Sequence, residues 1–223
     1  MSRNGIVAVI GIFLVALSMS GKAYSAEFSA GMHTGYKGGL SFGATGTLSD
    51  FAQGFPLAFE FGLTYSSLDP GDPLRARRIF IANATNGTPE KNGQTWDLKM
   101  EFLYNLRLSG LRATYLYAGG RYSMFDGHFH YVGANEEFDV TGTQWGVSLG
   151  GRVLFAMSSR VSLMLSGGAV GYFKGSLHGH DTTYSPDNQN VNPKENFKYS
   201  DAAAAVSTPR FQPEFLIGVA YAL

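Results

Sequence analysis

Cysteine is absent from the 223-residue chain, which removes disulfides, thiolate metal sites and cysteine nucleophiles together. Charge is scarce as well. Charged residues make up 15%, below the roughly 25% of a typical soluble domain. Formal net charge is +0 and the pI near 7.0, so no bulk field draws the chain to nucleic acid. Mean hydropathy is −0.04, too low for a helical membrane protein. Long hydrophobic runs are missing after the first 17 residues. What the chain has in quantity is 29 Gly and 14% aromatics, with 12 Tyr and 17 Phe.

The single apolar run, "GIVAVIGIFLVAL" from Gly5 to Leu17, follows Arg3 and precedes the small and polar "SMSGKAYSA". A charged start, a short apolar core and small residues at Ala23 and Ser25 form a secretory signal peptide over residues 1–25, so the mature chain begins near Ala26. A membrane anchor would need about 20 apolar residues.

From there to the C-terminus the sequence alternates with period two in eight segments, the mark of strands with one apolar and one polar face. In "TWDLKMEFLYNL", Trp96, Leu98, Met100, Phe102 and Tyr104 oppose Asp97, Lys99 and Glu101. The first segment sets Met32 and Tyr36 against Ser29, Gly31, His33 and Gly35. The second sets Phe42 and Leu48 against Ser41 and Thr45, and the third Phe59, Phe61 and Tyr65 against Glu60 and Thr64. The fifth, about Arg112 to Phe125, places Leu116, Tyr122 and Met124 opposite Tyr117, Arg121 and Ser123. The last three place Trp145 and Leu149 opposite Arg152, Leu163 and Phe173 opposite Tyr172 and Lys174, and Phe215 and Ile217 opposite Glu214.

Aromatics gather near segment ends on the oily face (Tyr36, Tyr65, Trp96, Tyr104, Trp145 and Tyr221), as in the interfacial girdles of membrane barrels. The opposite face, rich in Gly, Ser and Thr with scattered charges, is a poor lining for a water-soluble core. The oily side therefore faces lipid. With no water outside, every strand must pair and the sheet must close. The expected fold is all-β: a transmembrane antiparallel up-and-down β-barrel of eight strands over residues 26–223. Short linkers ("SDFAQGFP", "RLSGL", "MSSR") alternate with long polar connections, roughly residues 69–94, 126–142 and 177–209, matching periplasmic turns and extracellular loops. The short "KGG" between the first two segments is the exception.

At this point the chain resembles the small eight-stranded outer-membrane proteins of Gram-negative bacteria, the OmpA transmembrane-domain and OmpX-like group. The resemblance spans the mature chain and rests on architecture plus one C-terminal motif. In "GVAYAL", Gly218, Tyr221 and Leu223 stand where the insertion signal read by the barrel-assembly machinery has a glycine and two aromatics; Leu223 departs from the usual Phe. The resemblance implies an outer-membrane location, contact with membrane lipid and lipopolysaccharide, a monomer, and no cofactor.

Charges expected inside are Glu60, Asp97, Lys99, Glu101, Arg121, Arg152, Lys174 and Glu214. Four acids and four bases allow internal pairing, which filling a narrow lumen requires. A channel lined by the same groups is the alternative. "RARR" supplies Arg75, Arg77 and Arg78 as candidate contacts to lipopolysaccharide phosphates, and the following "IFIANAT" suggests a hairpin. The Ala run 202–205 would extend the last strand. Histidines cluster as His128/His130 and His178/His180 with Asp181 near the extracellular rim; metal ligation is one reading of such pairs, polar loop residues the expected one. A lipid A-modifying enzyme would need a hydroxyl nucleophile beside a rim histidine, and the position two after His130 is Val132. The expectation is a structural or surface-interaction protein, not an enzyme, with any extracellular ligand read by its loops.

Overall fold

The computed structural model describes residues 26–50, 56–134, 136–187, 194 and 196–223; the signal peptide expected over 1–25 lies outside them. Among the described residues, ten strands and two short helices follow one another: β1 (Glu27–Lys37), β2 (Leu40–Ser49), β3 (Leu57–Leu68), α1 (Pro73–Phe80), β4 (Thr88–Asn105), β5 (Ala113–Val132), β6 (Glu136–Ala156), β7 (Val161–Tyr172), β8 (Ser176–Gly179), β9 (Thr182–Tyr184), α2 (Tyr199–Ala205) and β10 (Phe211–Ala222). Strands β1 to β7 pair with their sequence neighbours, all antiparallel. β10 pairs with β7 on one side and β1 on the other, from Ser29↔Ala222 to Lys37↔Glu214. The ring is a closed eight-stranded barrel.

Its surface inverts the rule of soluble proteins. Met32, Leu149, Phe215 and Met100 are more than half exposed, while Glu60, Asp97, Glu101 and Arg121 are wholly buried. An apolar exterior is stable only against hydrocarbon, so the barrel wall is a bilayer-spanning surface. Its upper edge is marked by aromatics on neighbouring strands: Phe42 stacks on Tyr65, Tyr65 meets Trp96 edge-on, and Tyr122 packs on Trp145. At such a boundary the ring faces lipid while the hydroxyl or indole N–H reaches water.

The long connections differ from the expected polar loops. β5 and β6 keep pairing up to Tyr131↔Glu136, and the chain reverses in a tight turn through Gly133, whose φ of 82° suits a residue without a Cβ. Residues 126–142 are therefore a raised hairpin, and β4 rises beside it from Thr88. At about 3.3 Å per residue, the eight residues from Trp96 up to Thr88 carry the sheet about 25 Å along the strand beyond the aromatic edge.

Residues 73–80 form helix α1, where a hairpin was expected. Asp72 caps it by accepting from Leu74 N and Arg75 N, and Pro73 takes the first turn, where a missing N–H costs nothing. The Ala run forms helix α2 and does not lengthen a strand; Asp201 Oδ2 accepts from the Lys198 N–H at its start, and alanine has the highest helix propensity.

Both helices, the raised hairpin and β8–β9 surround one apolar core. Ala76, Ile79 and Phe80 of α1 meet Phe129, Tyr131, Phe138 and Val140 of the hairpin, and Leu177, Tyr184, Tyr199, Ala202 and Val206 close it. The two helical segments are also joined through the backbone across the barrel mouth. Gly71 and Val206 bridge antiparallel, with Asp72 N donating to Ala205 O and Ser207 N to Pro70 O. We call this unit the cap.

Candidate functional site

The lumen and the cap are where this fold concentrates its specific chemistry. Because a strand alternates faces, the odd residues of β4 point inward as a row, Asp97, Lys99 and Glu101, and each meets a partner from another strand. In the middle of the barrel, Glu60 accepts from both terminal nitrogens of Arg152, pairs with Lys99 Nζ at 2.6 Å, and accepts from Thr47 Oγ1 at 2.8 Å. Beside it, Glu101 takes Arg121 at 2.7 Å and Ser148 Oγ at 2.8 Å. Arg121 reaches on to Glu214 at 3.2 Å, which Tyr117 also approaches at 3.3 Å. Nearer the capped mouth, Lys37 Nζ lies 2.5 Å from Asp97 and donates to the Tyr172 hydroxyl at 2.8 Å; that hydroxyl donates to Asp97 at 2.7 Å.

Seven of the eight expected inward charges project into this lumen. Lys174 does not. β7 ends at Tyr172, the chain peels away to form β8, and Lys174 is exposed beyond the strand. Its place is taken by Lys37, fully buried and continuing the inward series Ser29, Gly31, His33, Gly35 by one more step. The lumen of the described residues thus still holds four carboxylates and four cations. Pairing of this kind lets charges stay buried, since each unpaired ion would cost several kcal/mol, although Arg121 Nε and Nη1, Arg152 Nε and Glu214 Oε2 have no hydrogen-bond partner.

A cavity of about 30 Å³ beside Glu60 and Arg152 is large enough to hold water. Where barrel meets cap, a void of only about 10 Å³ lies among Phe125, Gln144, Leu177 and Tyr199, and Gln144 donates to Pro209 O across it. The mouth opposite the cap is wider, a vestibule of about 170 Å³ between Glu27, Asp50, Arg112 and Arg160.

The Arg75, Arg77 and Arg78 trio divides. Arg77 is fully buried: it pairs with Glu136 at 2.5 Å, donates to Asn86 O and Oδ1, and lies 4.3 Å from the Tyr131 ring centroid. It pins α1 to the hairpin and has nothing left to offer a phosphate. Arg75 and Arg78 stay exposed on the helix.

His128 and His130 stand on the outer face of the raised hairpin. His128 is 2.7 Å from Asp139 and 3.3 Å from Glu137, and His130 is 3.7 Å from Glu90. His178 lies 3.1 Å from Thr183 Oγ1 on the β8–β9 hairpin, and His180 2.9 Å from Asp181. Among the described residues these groups do not converge into a set of three or more metal ligands. The His178–Thr183 pair is a histidine beside a hydroxyl, but His178 is level with Thr141, four residues above Trp145, so it sits above the aromatic edge and away from acyl chains.

On the seam strand, Gly218 faces inward opposite His33. A Cβ there would lie 2.2 Å from Met32 O and 2.9 Å from the His33 Cα, so glycine is required for β10 to close on β1. Tyr221 and Leu223 face outward.

No protein-family model matches the chain, and no curated protein matches it. Among solved structures, it is similar to a major outer membrane protein of Thermus thermophilus, at 22% identity over 90% of this chain and 100% of that one, with a TM-score of 0.74. CarO of Acinetobacter baumannii (13% identity, 87% and 96% covered, TM-score 0.40) and Neisserial surface protein A (13%, 88% and 94%, 0.38) match more distantly. The first similarity, at this identity, speaks to fold. With the lipid-facing wall, it identifies the architecture as that of a bacterial outer-membrane β-barrel.

Proposed function

We propose that the protein is a structural, surface-presenting barrel of the outer membrane, related in build to the OmpA and OmpX group, whose working part is the folded cap. One observation carries this reading: the extracellular mouth is covered by an apolar core assembled from three separate segments. A pore would need that path open, and flexible loops would not need a core. The ion-paired lumen then serves as a rigid filling, and the cap's outer faces meet the partner. Arg75 and Arg78 are the contacts offered to lipopolysaccharide phosphates, through charge-assisted hydrogen bonds. Gly218, Tyr221 and Leu223 serve as the signal to the barrel-assembly machinery.

The reading excludes conduction and lipid A chemistry, and both are measurable. In planar bilayers the folded protein is expected to give no stepwise conductance. In Gram-negative cells that place it folded in the outer membrane, the lipid A mass spectrum is expected to be unchanged. Discrete conductance steps would make it a channel. A gained or lost acyl chain would make it an enzyme and turn attention to His178 and Thr183.

A further inference from the structure

The opposite end of the barrel carries a feature that the cap-centred reading does not use. The two periplasmic turns at 106–112 and 157–160 contain three arginines, Arg107, Arg112 and Arg160, and no carboxylate; all three are exposed. Arg112 ties the turns together, donating from Nη1 to Ser158 O at 3.0 Å and from Nη2 to Ser159 O at 2.7 Å. Beside it lies an open groove of about 520 Å³, lined by Leu111, Arg112, Phe155, Ala156, Ser158 and Ser159. Phe155 and the neighbouring Met157 are exposed. A fixed cation therefore sits at the lower rim of the lipid-facing wall, where phospholipid headgroups lie.

The wall above the groove is shaped to match. One cross-strand row reads Leu116, Gly151, Gly167, Phe215 on β5, β6, β7 and β10. All four face outward, so two glycines side by side leave a trough between two large apolar side chains. A Cβ at Gly151 would touch only Tyr115 O, at 3.7 Å, and one at Gly167 would meet the Phe215 ring at the same distance. The sheet does not need glycine at either position, and the trough is free for an occupant. It begins four residues above Phe155, about 13 Å along the strand, the depth of an acyl chain whose headgroup is at the rim.

We propose that groove and trough together bind one anionic phospholipid of the periplasmic leaflet. Its phosphate is held at Arg112 in the field of Arg107 and Arg160, and an acyl chain runs upward over Gly151 and Gly167. Neither turn carries a carboxylate, and the two that share the vestibule with Arg112 and Arg160, Glu27 and Asp50, leave the three arginines in excess, which selects a net negative headgroup over a zwitterionic one. The continuity of the groove with the apolar wall selects a lipid over a soluble phosphate.

Native mass spectrometry of the folded full chain, released from detergent after incubation with phosphatidylglycerol, phosphatidylcholine or inorganic phosphate, tests this. Wild-type protein is expected to retain one phosphatidylglycerol about tenfold more strongly than phosphatidylcholine, the scale of one charge-assisted hydrogen bond. Arg112→Gln is expected to remove that preference. Gly151→Ile, which leaves the arginine in place and fills the trough, is expected to weaken retention of both lipids. Heat-modifiable gel mobility confirms that each variant is folded. Equal retention of the two lipids by wild type, or a preference that survives Arg112→Gln, overturns the proposal. Displacement of phosphatidylglycerol by millimolar inorganic phosphate would show an anion site that takes no account of the acyl chain, and overturns it too.

Discussion

Strands β5 and β6 pass through two interiors of opposite character without changing register. Within the bilayer their inward residues are mostly polar or glycine, with Tyr117 the buried aromatic among them: Arg121 and Ser123 on β5, Gln144, Ser148 and Arg152 on β6. Above the aromatic edge the same parity delivers Phe125, Phe129 and Tyr131, then Phe138 and Val140, into the cap core. The outward face reverses in step, from Tyr122 and Trp145 to Asp126, His128, Glu137 and Asp139. Alternation is a constant of strand geometry, whereas the chemistry of each face answers to its surroundings. Lipid outside permits a polar interior, provided every charge finds a partner. Water outside requires an apolar one.

The comparison predicts two failures that can be told apart. Glu60→Ala removes the carboxylate shared by Arg152 and Lys99 and leaves both cations buried in the lumen. The expected loss is about 3–5 kcal/mol of barrel stability, read as a lowered urea or heat midpoint for the gel-mobility change. A midpoint unchanged from wild type would mean that the lumen hydrates freely and the ion pairs are incidental. Phe80→Ala opens the cap core instead, at a cost of about 3 kcal/mol typical of a buried aromatic. Protease cleavage within 73–80 or 199–205 should accelerate while the barrel keeps its heat resistance. Loss of both together would show that cap and lumen are one cooperative unit.

The smallest effect belongs to the outer face of the hairpin. The hydrogen bond to Asp139 raises the His128 pKa above its ordinary 6.5 against the opposing effect of burial, with the charges of Asp139, Glu137 and Asp126 adding to the rise. The group is exposed and above the membrane, so its contribution is slight. It is fully present below pH 6.5 and fades as pH rises through the raised folded value. An NMR titration of His128 should show a midpoint above 6.5 that falls back in Asp139→Asn. A wild-type midpoint at or below 6.5 would show that water screens the pair completely.

The wall was legible because lipid enforces alternation residue by residue, so Asp97, Lys99 and Glu101 could be set against Trp96, Leu98 and Met100 from the sequence alone. The errors fall where strands end. Lys37 continues the inward series of β1, but the "GG" after it reads as a turn and hid the last inward residue. Lys174 has the right parity, yet the chain leaves β7 two residues earlier. The cap was harder, because its core is built from segments far apart in the sequence, and a few apolar residues in each polar stretch look like noise. One part was readable in hindsight: Asp72 and Pro73 form a helix start, and Ala76, Ile79 and Phe80 share a face at helical spacing. The β-branched "IFIANAT" suggested strand. Nothing local distinguishes Arg77, which is buried, from Arg75 and Arg78, which are not.

The bridge between Gly71 and Val206 also bears on the order in which the molecule can be completed. Its two halves are separated by most of the barrel, and the cap core likewise needs residues from Ala76 to Val206. No N-terminal portion of the chain contains a whole cap, and contacts at such separation form late, after the intervening loops have been closed. Only the seam between β1 and β10 spans more of the chain. A reagent that recognises the cap intact would count only those molecules in which the strands up to β7 have brought both cap halves to the same mouth of the barrel.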